Sequence, residues 1–83
     1  MPRKNYYIKH TDMTVIPYKI SQDHYDDYYY SQNAAQDDAH DLAQALAADT
    51  GAYWTPDEGN TWLVSIHNHN TAHPDHRIEV IKE

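Results

Sequence analysis

Cysteine and phenylalanine are missing from this 83-residue chain, glycine occurs twice and proline four times. The lack of cysteine excludes a disulfide framework, a thiolate zinc site and a cysteine nucleophile. With Gly51 and Gly59 as the only glycines, there is no phosphate-cradling glycine loop and no strained nucleophile elbow to activate one of the three serines. No apolar run reaches the length of a signal-peptide core or a membrane span. The expectation is therefore a soluble, intracellular (cytoplasmic) protein that is not an enzyme and carries no cofactor. Cations are scarce as well: 6 Lys and Arg stand against 13 Asp and Glu, a formal charge of −7. A chain so poor in aliphatic residues and so charged approaches the composition of disordered proteins. Eight Tyr and two Trp reverse that expectation, because aromatic side chains bury the most area per residue and can close a small core.

No internal repeat or flexible linker divides the chain, so residues 1–83 are read as a single domain. Residues 5–10 alternate in the strand sense, with Tyr6 and Ile8 on one side and Tyr7 and Lys9 on the other. After a polar break at His10, Thr11 and Asp12, residues 14–20 read as a second strand with Ile16, Tyr18 and Ile20 on one face. Pro17 cannot donate a ladder hydrogen bond, which places that strand at an edge or gives it a bulge. Residues 33–50 read as a helix, in which Ala35, Ala39, Leu42 and Leu46 form one stripe and Asp37, His40, Asp41 and Gln44 face solvent. Asn33 is the expected N-cap and Gly51 the expected left-handed residue past the end. Turn residues between Trp54 and Trp62 predict a hairpin, with Trp62, Val64 and Ile66 sharing a face, and residues 76–82 supply a last strand. Residues 21–32 read as an ordered loop or short helix. The predicted fold class is α+β: a small antiparallel sheet of four to five strands, ordered ββαβββ or βαβββ, with one helix packed across one face.

The distribution of charge carries most of the functional information. Every Lys and Arg lies at position 19 or before, or at 77 or after, and the intervening stretch holds ten acids and no compensating cation. Six of them, Asp23, Asp26, Asp27, Asp37, Asp38 and Asp41, fall in the tyrosine-rich segment and the early helix. On a helix, Asp37 and Asp41 stand roughly 6 Å apart. That is close to the separation of successive phosphates along a nucleic-acid strand. Acidic faces also keep small proteins soluble, and the helix macrodipole favours Asp in a first turn without any partner. A field of one sign over most of the chain is less readily explained that way, since it destabilises a small domain by self-repulsion. Tyr25, Tyr28 and Tyr29, interleaved with the acids, supply aromatic area and hydroxyls of the kind found at interface hot spots. The candidate partner-binding residues are therefore Asp23, Tyr25, Asp26, Asp27, Tyr28, Tyr29, Asp37, Asp38 and Asp41. The expected partner is a protein with a basic surface, and neither nucleic acid nor membrane is bound directly. Arg3, Lys4 and Lys9 beside Tyr6 and Tyr7 form a small basic end that reads as a solvated terminus.

Seven histidines are many for this length, and four lie between 67 and 76. His67, His69, His73 and His76 are weak candidate metal ligands, since the H-x-H run is not followed by the Asp-His of a metallohydrolase signature. Exposed loop histidines are the alternative, and no metal is assigned.

The acidic, cysteine-free character and the runs D-H-Y-D-D-Y-Y-Y and D-D-A-H-D resemble small phage-encoded inhibitors of host defence, including anti-CRISPR proteins that mimic DNA. The resemblance is one of type and carries no site residues. It implies a stoichiometric blocker, acting in the host cell of a phage, whose carboxylates occupy a Lys- and Arg-lined groove on a nucleic-acid-binding complex. Two other readings stay open: an interaction or structural subunit that uses a Tyr and Trp surface, and a histidine metal-binding protein.

Overall fold

The computed structural model describes residues 5–22, 28–48, 51–55, 60–66 and 74–83. Five strands and one helix follow in the order β1 (Tyr6–Asp12), β2 (Lys19–Ser21), α1 (Gln32–Ala47), β3 (Ala52–Trp54), β4 (Thr61–Ser65) and β5 (His76–Lys82). They form one antiparallel sheet ordered β2-β1-β5-β4-β3, with α1 lying across β1, β3, β4 and β5. This is the expected α+β arrangement.

Register decides which side chains meet the helix. Ile8 pairs with Val80, His10 with Ile78, Trp62 with Ile78 and Tyr53 with Val64, so these residues share one face of the sheet. Ile8, Ile78, Val64 and Trp62 are buried there against Ala35, Ala39, Leu42, Ala43 and Ala47 of α1. Alanines bring the helix backbone close to the sheet but bury little area, so the strands supply most of the apolar surface. Full burial of Ile8, Val64 and Ile78 is worth about 1.5–3 kcal/mol each. Lys9, Thr11, Arg77, Glu79 and Leu63 occupy the opposite face by the same pairing.

The chain departs from the sequence reading in its first two strands and at both ends of the helix. Strand β1 runs on through His10, Thr11 and Asp12, because β5 offers partners for all seven of its residues. β2, by contrast, shrinks to Lys19–Ser21, and residues 14–17 bend away from the ladder around a cis Ile16–Pro17 peptide. The Asp12 carboxylate directs that bend by accepting hydrogen bonds from the Thr14 amide, at 2.9 Å, and from the Thr14 hydroxyl. Helix α1 starts at Gln32 rather than Asn33, since the Ser31 hydroxyl accepts the Ala34 amide at 3.2 Å and acts as the N-cap. It stops at Ala47. Ala48 rather than Gly51 takes the left-handed φ, at 51°, and its amide still donates to Gln44 O at 2.9 Å. Gly51 serves a different need: a Cβ there would stand 2.6 Å from Ser65 O and 2.7 Å from Ala47 O. Only a residue without a side chain lets the helix exit pass so close to β4.

Within residues 21–32, Tyr29 returns to the sheet. Its amide donates to Tyr6 O at 2.7 Å and its carbonyl accepts from Tyr6 N at 3.2 Å, an antiparallel bridge. Both β2 and Tyr29 thus sit on the same edge of β1, one near each end.

Candidate interaction face

The acidic candidates among the described residues, Asp37, Asp38 and Asp41, lie on the solvent side of α1. Asp37 and Asp41 are exposed one turn apart, and Asp38, half-buried beside them, accepts a 2.7 Å hydrogen bond from the Tyr29 hydroxyl. That bond joins the helix to the Tyr29 bridge and fixes the carboxylate row relative to β1. Further along, His40 Nε2 lies 3.0 Å from the Tyr53 hydroxyl, with the two rings 5.5 Å apart and edge-on. The first helical turn carries no acid and the last no base. Asp37, Asp38 and Asp41 therefore stand beyond the reach of the macrodipole, which falls off within one turn.

Among the described residues no Lys or Arg forms an ion pair with this face. Among the described residues the ion pairs are His76 Nδ1 with Asp12 Oδ1, at 3.8 Å, and Arg77 with Glu79, at 3.2 Å and poorly aligned for a hydrogen bond. Neither involves the helix. Lys9 and Arg77 project from the sheet face away from α1 by their register, and the Lys82 ammonium lies 5.9 Å from the centre of the Tyr6 ring.

The remaining candidates fall in different environments. Tyr29 is buried in the core, and its hydroxyl is the part that reaches the acidic row. Tyr28 is half-buried and packs edge-on against Tyr7, with ring centres 5.9 Å apart. Tyr30, outside the candidate set, is 60 % exposed. Asp23, Tyr25, Asp26 and Asp27 lie outside the described residues, as do His67, His69 and His73.

His76 is buried at the far end of the sheet, with its Nδ1 2.9 Å from His10 Nε2, one nitrogen donating and the other accepting. The sequence signal for this pair is weak, because 66 positions separate the two residues and only the β1–β5 register joins them. Asp12 completes the cluster. Its carboxyl is held below the usual Asp value by the Thr14 hydroxyl first, then by the Thr14 amide and the positive character of His76 and His10. Among the described residues no group of three or more His, Asp or Glu is arranged to hold a metal ion.

No family model, curated protein or solved structure matches the chain. No described helix is long and apolar enough to cross a membrane.

Proposed function

We propose that this chain is a non-enzymatic, acidic interaction protein that occupies a basic, nucleic-acid-binding surface of a partner protein as a stoichiometric inhibitor, in the manner of anti-CRISPR and other DNA-mimicking phage proteins. The observation that carries the reading is the row Asp37, Asp38 and Asp41 on the outer face of α1, held in place by Tyr29 and joined by no described ion pair. A helix presents these groups at roughly the spacing of backbone phosphates. Their mutual repulsion costs stability, and a groove of Lys and Arg on a partner offsets that cost. Association is then fast and steered by charge, and it weakens with salt.

The test is capture of a host protein on the immobilised chain, followed by challenge with duplex DNA and with salt. The expected result is that DNA displaces the captured protein and that about 0.5 M salt releases it. A captured complex indifferent to both refutes the reading. The exposed Tyr30 favours a second reading, an interaction surface built on aromatic area. In that case binding survives Asp-to-Asn changes at 37, 38 and 41 and fails on loss of Tyr28 or Trp54.

A further inference from the structure

We propose that His10 and His76 form a proton-sensitive clasp at one end of the β1–β5 ladder, whose ring-to-ring hydrogen bond holds while the pair carries at most one added proton and opens when it carries two. His10 Nε2 and His76 Nδ1 are 2.9 Å apart, with ring centres 5.0 Å apart and planes tilted by 44°. His76 is only 7 % exposed, so water does not readily take the place of the bond. A neutral imidazole has one donor and one acceptor nitrogen, and the contact uses one of each. The donor ring keeps the bond when its outer nitrogen takes a proton, because its facing N–H is unchanged. A second proton has to enter on the facing acceptor nitrogen. Both facing nitrogens then carry hydrogen, no lone pair remains between them, and two positive rings oppose each other in a part-buried site.

The charge around the pair balances one added proton rather than two. On the same face Asp12 Oδ1 lies 3.8 Å from His76 Nδ1, and its carboxyl, held below the ordinary Asp value, stays ionised across the histidine range. Lys19 stands opposite Asp12 on β2, which adds a cation rather than a second anion. β4 sets Val64 across from His76, and the Asp75 carboxylate accepts the Ile66 amide at 2.8 Å. From α1, Leu42, Ala43 and Ala47 meet the sheet, while Asp37 and Asp41 are exposed and Asp38 is bonded to Tyr29. Lys9, Arg77 and Glu79 occupy the other face of the sheet. The clasp secures a junction of three strands, since the Met13 amide donates to Asp75 O at 2.9 Å and the Asp75 amide to Val64 O at 2.8 Å. Acid therefore loosens the end of the sheet from which the chain bends towards β2. The described residues at the opposite end, around Tyr6 and Tyr29, include no histidine.

The count of protons is the test. Below about pH 6.5 an unfolded chain binds a proton on each of the two histidines, whereas the closed clasp binds one on the pair, and stability rises with pH wherever the unfolded state holds more protons. In His10→Gln the remaining ring donates to the amide oxygen when protonated, and the difference disappears. The unfolding equilibrium constant of the full chain, measured with urea, should therefore rise about tenfold more per pH unit in the wild type than in His10→Gln between about pH 6 and pH 5. Imidazole nitrogen NMR on the wild type gives a second readout that needs no variant. At about pH 8, above the histidine range, one facing nitrogen should carry hydrogen and the other none, and on acidification the two rings should take up protons in two separate steps. Should His10→Gln fail to fold, this titration decides alone. Two rings that protonate together in one step with the fold intact overturn the proposal, as does a wild type that loses stability in parallel with a folded His10→Gln.

Discussion

Replacing Asp41 by Asn is expected to stabilise this protein. Asp41 is exposed on the helix and has Asp37 four residues before it and Asp38 three residues before it. Like-charged neighbours at these spacings destabilise a helix by about 0.2–0.5 kcal/mol per pair, so removing one charge relieves two pairs, about 0.4–1 kcal/mol. Asn and Asp have similar helix propensities, and Asp41 lies beyond the first turn, where the macrodipole would otherwise reward a carboxylate. For a domain of this size the gain corresponds to a rise in Tm of about 2–8 °C. Circular dichroism melts at neutral pH in about 10 mM salt read the effect directly. A second series in about 1 M salt supplies the control, because the screening length there is about 3 Å, shorter than the carboxylate separation, and the difference between the two proteins should collapse. A lower Tm for Asp41→Asn would mean that the carboxylate has a stabilising partner within the fold. An equal gain at both salt concentrations would mean that the effect is not electrostatic. Either result removes the argument that this row of charge is kept at a cost to the fold.

At the end of the helix two substitutions should act in opposite directions: Ala48→Gly relieves the positive φ and gains about 1 kcal/mol, while Gly51→Ala forces a Cβ onto two carbonyl oxygens and loses about 1–3 kcal/mol, both read by urea denaturation. Tyr29→Phe removes the hydrogen bond to Asp38 and should cost about 1–2 kcal/mol; combined with Asp38→Ala, the two losses should be clearly less than additive, and strict additivity would show that the 2.7 Å contact does not form in solution. Asp12 titrates below an ordinary Asp chiefly because of the Thr14 hydroxyl, so its contribution to stability is present above the unfolded-chain value near pH 4 and is lost as the pH falls through the lower folded value. Thr14→Val should return the Asp12 carboxyl towards its ordinary value, as followed by NMR titration, and should weaken this acid dependence.

The parts of the fold that sequence revealed were those with an unambiguous period. Trp62 and Val64, Ile78 and Val80, and the stripe Ala35, Ala39, Leu42 and Leu46 each announced one face, and the sheet with its single helix followed from them. The short β2 was overestimated because Ile16, Tyr18 and Ile20 alternate as a buried strand does, yet Thr14 and Asp12 bend the chain before the ladder can extend. Local chemistry at the helix ends was misassigned by one or more positions: Ser31 and Asn33 can both cap, and the Ala34 amide meets the Ser31 hydroxyl, while at the other end Gly51 is needed for the close pass by Ser65 O of β4 rather than for a positive φ. Contacts between distant positions were invisible. Nothing in the spacing of Tyr29 and Asp38 distinguishes a buried ring with an outward hydroxyl from an interface tyrosine, and the His10–His76 pair exists only through the β1–β5 register.

The bridge between Tyr29 and Tyr6 has a structural corollary. Ser21 and Tyr29 are both pinned to β1, so the seven positions between them begin and end at fixed points on a rigid strand. Doubling the length of such an insert costs only about 0.6 kcal/mol of closure entropy. A change of length or charge between positions 22 and 28 is therefore compatible with an unchanged β1 register, because both flanking points stay tied to the same strand.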